Sequence, residues 1–245
     1  MQKRPKPGES ALTIRSFSSH GNSSRLGSRK SKDLHHVFSN VELAALIEAE
    51  SRSDVHEIRA QVALNISIYN AIAAEICAPQ YPIGFTPTSD LVLTLNRPRP
   101  PFLEVICCKT RETIDDPKVM LKVETERRYW VETYQAKFRT FTECDIPQPL
   151  VQNVLFLRPY RRQGCWLPCE SEQRKQDLLA RLRELLIAEP SRTLRHLCER
   201  HDRMHNLVQG TSMGGVRYAL AQEIWTANLN FAVDPALPPT WLVIT

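Results

Sequence analysis

The sequence predicts an α/β protein, with a mixed-sheet core followed by a C-terminal helical, winged-helix-like region. Residues 33–160 alternate helical and extended patterns, as a sheet flanked by helices requires. Arg, Gly and Pro then concentrate in RPYRRQGCWLP, residues 158–168, which reads as a boundary. Beyond it come three helical segments and two extended pieces, the order of a winged helix-turn-helix. The expected organisation is a basic N-terminal arm over 1–32, a core over 33–160 and an interaction region over 161–245.

The arm is set apart by charge. Residues 1–32 carry eight Lys or Arg against Glu9 alone, a net of +7, whereas 33–157 carry −5 and 158–245 carry +3. Rich in Ser, Gly and Pro, the arm reads as disordered when free. Clustered cations release counterions from DNA, which makes it a phosphate-binding arm in one reading and a solvated tail in the other.

The first ordered element is expected at SNVELAALIEAE, where Val41, Ala44, Ala45 and Glu48 lie on neighbouring turns behind Ser39 or Asn40 as N-cap. DVHEIRAQVAL alternates as a strand does. After the Pro-rich APQYPIGFTPT, the runs SDLVLTL and FLEVICCK form a hairpin turned by RPRPP. Residues 117–134 read as a helix with Pro117 in its first turn. KFRTFTE is another strand, and IPQPLVQNVLFLRPY a helix. Further helices fall at 172–188, 191–201 and 211–225, and NLNFAV and TWLVIT make a final extended pair around DPALPP.

No run approaches the ~18 apolar residues that a membrane span needs. The N-terminus lacks an apolar signal region, so a cytoplasmic location is expected. Seven irregularly spaced cysteines read as reduced thiols rather than a disulfide framework.

One constellation carries chemistry. Phosphodiester hydrolysis needs an activated water and charge neutralisation, which carboxylate-held divalent metals supply. A neighbouring lysine orients the water and steadies developing charge. Nucleases of this kind draw a glutamate from a helix, an aspartate from the start of a hairpin strand and an [E/Q]-x-K sequence from the next. Glu42, Asp90 and Lys109 stand in those places. Spacing alone favours the plainer reading of a helix-dipole carboxylate, a turn aspartate and a strand-edge lysine.

VETERRYW, FRTFTE and IPQPLVQNVLFL resemble the segment that follows the catalytic lysine in the TnsA family, endonuclease subunits of bacterial cut-and-paste transposons with a heteromeric transposase. Upstream, SHGNSSRLGSRKSKDLHHVFSNVELAALIEAESRSDVHEIRAQVAL resembles the family's entry into its first helix and strand. The resemblance spans about residues 18–160 and rests on layout alone beyond them. It implies a restriction-endonuclease-like core of the PD-(D/E)xK type. It makes Glu42, Asp90 and Lys109 catalytic, Glu42 and Asp90 ligands of Mg2+ or Mn2+, and Gln61 a supporting residue. Cys107 stands where the family has Gln or Glu, and a thiol is a poor partner for magnesium. Glu104 is no substitute, because strand alternation turns it to the opposite face from Cys107 and Lys109.

The resemblance further implies a bacterial, nucleoid-associated protein acting on double-stranded DNA at transposon ends. It would cut the non-transferred 5′ strands beside a TnsB-like DDE transposase and a TnsC-like AAA+ regulator. The alternative is an adaptor bridging these partners, its catalysis eroded at Cys107.

Weaker signals remain. Cys165, Cys169, Cys198 and His201 have ligand types suited to zinc, yet one pair falls in a turn and the other in a helix, as unlinked residues would. His35 and His36 read as structural or phosphate-facing. GTSMGGVRYAL would begin a recognition helix, but Arg217 is its lone cation, so docking of a protein is the competing reading.

Overall fold

A computed structural model describes residues 24–31, 34–100, 102–161 and 165–243. The expectation of a disordered arm therefore lies largely outside the described residues. Where it can be compared it needs correction: β1 (Ser24–Gly27) pairs antiparallel with β2 (Leu34–Val37). Leu26 and Val37 are buried, and this anchors the end of the arm.

The chain divides into two compact units, Met1–Ile146 and Pro147–Thr245. In the first, α1 (Asn40–Ser51) leads to β3 (Val55–Ala63), α2 (Ile66–Glu75), β4 (Thr88–Leu95) and β5 (Leu103–Cys108). The short α3 (Arg111–Ile114), the long α4 (Pro117–Tyr134) and β6 (Lys137–Phe141) follow. The four strands form one mixed sheet in the order β3-β4-β5-β6, with the last pair parallel and the others antiparallel. A parallel pair needs a crossover, which α4 supplies. Asp116 caps α4 and Pro117 occupies its first turn, so the start of that helix was legible.

Helix α1 packs on β3, β4 and β5. Tyr69 of α2 and Tyr129 and Trp130 of α4 close over Val62, Val92 and Val105. Helix α2 was not anticipated. Its signals are the Asn65 N-cap and buried Tyr69, Ile72 and Ala73 on one stripe, in a segment short enough to be masked by the Pro-rich stretch after it.

The second unit comprises α5 (Gln148–Leu157), α6 (Glu172–Ala188), α7 (Leu194–Met204) and α8 (Thr211–Ala221). The division thus falls before α5, not at 160. Leu157 joins the core of the second unit, and Asn153 donates to the carbonyls of Leu229 and Phe231, each at 2.8 Å. The expected C-terminal strand pair reduces to a single antiparallel bridge, Ala227 with Leu242. Pro235, Pro238 and Pro239 lack the N–H groups that a ladder needs, and Asn153 takes carbonyls that a strand would have used. Helix α8 is the core helix of this unit rather than a surface helix: Ser212, Gly214, Gly215, Val216 and Tyr218 through Ala221 are buried. Trp166 lies against its two glycines, where a Cβ on Gly215 would sit 2.8 Å from the indole.

Candidate active site

The candidate residues meet where β4 begins and β5 ends, at one end of the sheet. Asp90 Oδ2 accepts from the Cys108 N–H at 2.7 Å and lies 3.5 Å from Lys109 Nζ. That ammonium also donates to the Cys108 carbonyl at 2.9 Å. The Asp90 carboxylate raises the Lys109 pKa against the opposing effect of burial, so the lysine stays charged.

Glu42 enters from the first turn of α1. The Glu42 N–H donates to the Ser39 hydroxyl at 3.1 Å, and that hydroxyl donates to Glu42 Oε1 at 3.0 Å. Oε2 accepts from the Phe38 N–H and from Gln61 Nε2, both at 3.1 Å. Helix capping therefore fixes the rotamer of the carboxylate. Glu42 is only 8% exposed, and burial followed by the nearby Asp90 charge pushes its pKa up to about 7 despite these donors.

Gln61 lies in β3 with φ of 51°, a left-handed conformation in mid-strand. The ladder passes over it, pairing Ala60 with Leu91 and then Val62 with Ser89. Such a twist costs on the order of 1–3 kcal/mol for a non-glycine residue. Here it places the amide between Glu42 and the Thr88 hydroxyl, which donates to Gln61 Oε1 at 3.1 Å. The structure thus brings Glu42, Gln61, Asp90 and Lys109 into one connected neighbourhood.

Cys107 is fully buried, and desolvation pushes its thiol pKa well above the usual value. A neutral thiol occupies the position. Glu104 lies on the opposite face, as alternation requires, held by Arg52 and Arg139 at 2.9 Å each.

Sequence reasoning missed Glu126. It lies in α4, within VETERRYW, is 9% exposed, and has Ser89 and Cys107 facing its carboxyl. Its Oε1 is buried without a hydrogen-bond partner. Burial, then Asp90, pushes its pKa up to about 7. A buried glutamate among helical apolar residues was the available signal, because such a group needs a compensating partner.

Among the described residues, no three His, Cys, Asp or Glu side chains form a ready-made metal cluster. The charge balance nevertheless suits a cation. Asp90 raises the pKa of both Glu42 and Glu126, while Lys109 is the cation that acts on all three. Oxygen donors of this kind fit a hard divalent ion, whereas the Cys107 thiol does not.

The other candidates resolve differently. Cys165 and Cys169 are exposed, while Cys198 and His201 are buried on α7, where His201 Nδ1 meets the Ser212 hydroxyl at 2.8 Å. They do not assemble into a zinc site. His35 and His36 lie on β2, paired across the ribbon with Leu26 and Arg25. The Arg217 guanidinium lies 3.9 Å over the Phe156 ring, so the lone cation of the supposed recognition helix is engaged within the unit. No helix among the described residues is long and apolar enough to cross a membrane.

Two comparisons with known proteins bear on this geometry. A family model described as the C-terminal part of the TnsA endonuclease matches residues 145–229, beginning beside the division at Ile146. Over 224 residues, 89% of this chain and 78% of the relative, the chain is 26% identical to the transposon Tn7 transposition protein TnsA of Escherichia coli.

Proposed function

With this chain taken as a TnsA-family protein, as both matches support, we propose that it is the endonuclease subunit of a Tn7-like transposition system. Its first unit is the restriction-endonuclease-like nuclease. It cuts the non-transferred 5′ strands at transposon ends, working with a TnsB-like DDE transposase and a TnsC-like AAA+ regulator. The observation that carries the reading is the junction of Asp90, Lys109 and Glu42 at one end of the sheet, with Glu42 electrostatically aware of Asp90.

Glu42 and Asp90 would hold one or two divalent ions, Mg2+ or Mn2+. Such an ion supplies a polarised water and neutralises charge on the phosphate. Lys109, kept charged by Asp90, would steady the phosphate oxygens as negative charge grows. Gln61 orients Glu42, and Glu126 adds a second buried carboxyl on the Cys107 side.

The test is nicking of transposon-end DNA by the purified chain with its transposase partner and Mg2+ or Mn2+. Cuts confined to the 5′ strands that vanish in Asp90→Ala are expected. The neutral, buried Cys107 favours a second reading, the adaptor with an eroded site. Wild-type protein that never cuts, or cutting undiminished in Asp90→Ala, would decide for it.

A further inference from the structure

Beside the catalytic junction the first unit carries a pocket of about 360 Å3, of the size that holds small ligands. Lys109 and Glu126 form part of its lining, so it opens onto the candidate site. Its other walls include Tyr69, Tyr81, Pro87 and Val123, and Lys122 adds a second cation. Tyr81 stacks on Phe85 with ring centroids 4.4 Å apart and planes 14° apart, and the Lys122 ammonium lies 5.5 Å from the Tyr81 ring centroid. Phe85 and the adjoining Ile83 are exposed on this loop.

We propose that this pocket receives one nucleobase, unpaired from the duplex beside the scissile phosphate. The inference rests on the nuclease reading above and adds to it a binding site for a single nucleotide.

Three features select that occupant. The apolar and aromatic walls suit a flat ring rather than a phosphate, and every base has a face that stacks on tyrosine, whatever the sequence. The two lysines suit the sugar-phosphate that leads into the pocket. Glu126, among the residues that line the pocket, adds a polar side chain to its wall. Extruding a base costs a few kcal/mol and least where the base is already unpaired. Stacking is insensitive to sequence, so the pocket would position the strand without selecting a base.

The test uses the full chain without divalent ions, so that binding is read apart from cutting. The probe is a duplex with one unpaired 5-iododeoxyuridine, irradiated at long wavelength, with the adduct mapped by mass spectrometry. An adduct on Tyr81 is expected, much weaker from the fully paired duplex. Tyr81→Leu should reduce it at least tenfold, while Tyr81→Phe, which keeps the stacking face and the fold, should retain it. An adduct elsewhere, or a yield equal in Tyr81→Leu and wild type, overturns the proposal. Since no cleavage is involved, a Tyr81 adduct on a chain that never nicks DNA would sink the nuclease reading and leave the pocket standing.

Discussion

Asp90 and Lys109 are tied twice: the carboxylate lies 3.5 Å from the ammonium, and it also accepts from the N–H of Cys108, whose carbonyl the same ammonium binds. The end of β5 is thus locked onto the start of β4 by charge as well as by the sheet ladder. Changing Asp90 disturbs both charge and position. Asp90→Asn keeps the shape, so loss of nicking in it reports charge. We expect a loss of at least about a hundredfold, the scale at which one preorganised electrostatic group acts in catalysis, measured on transposon-end DNA.

The raised carboxyls predict how metal binding depends on pH. Glu42 and Glu126, with pKa values near 7, must lose protons as a cation arrives. Affinity for Mn2+ should therefore climb between pH 6 and 7.5 and level above it. Titration calorimetry at several pH values measures this directly. A flat profile would show that neither group senses the ion.

The same shifts bear on stability, with the sign opposite to that of an ion-paired acid. Both groups hold protons in the folded chain that the unfolded chain releases above about 4.5. Their contribution is fully present below that pH and is lost as pH rises toward about 7. Glu126→Gln removes one of the two and should stabilise the protein at pH 8 relative to pH 5, by roughly 2 kcal/mol. Urea unfolding of wild type and variant at both pH values checks it.

Cys107→Gln introduces the amide oxygen that the resemblance leads one to expect at this position. We expect Mg2+-dependent nicking to rise relative to Mn2+-dependent nicking, because an oxygen donor suits the harder ion. A ratio unchanged between the two metals would show that this position does not touch the ion.

Gly215→Ala pits two effects against each other in the second unit. Alanine favours a helix over glycine by about 1 kcal/mol. A Cβ 2.8 Å from the Trp166 ring, itself buried and donating to the Thr211 carbonyl, costs about 1–3 kcal/mol by overpacking. The clash should win, and the melting temperature should fall.

Much of this protein was legible locally. Asp116 and Pro117 mark the start of α4, β4 and β5 follow their β-branched and leucine runs, and Ser39 announces α1. Alternation placed Glu104 across the sheet from Cys107, where Arg52 and Arg139 hold it. The end of the arm was harder to read, because β1 is a strand only by pairing with β2 and burying Leu26. The expected wing failed for a related reason: Asn153 of α5 competes for carbonyls far along the chain.

By itself the sequence determined the periodicities, the caps and the residue types offered for chemistry, since these depend on neighbours within a few positions. Tertiary structure alone decided that Glu126 reaches Cys107, that Gln61 turns left-handed toward Glu42, and that Arg217 is spent on Phe156. Each is a meeting of groups remote in the chain. Burial and electrostatic coupling arise only once folding has excluded water from between them.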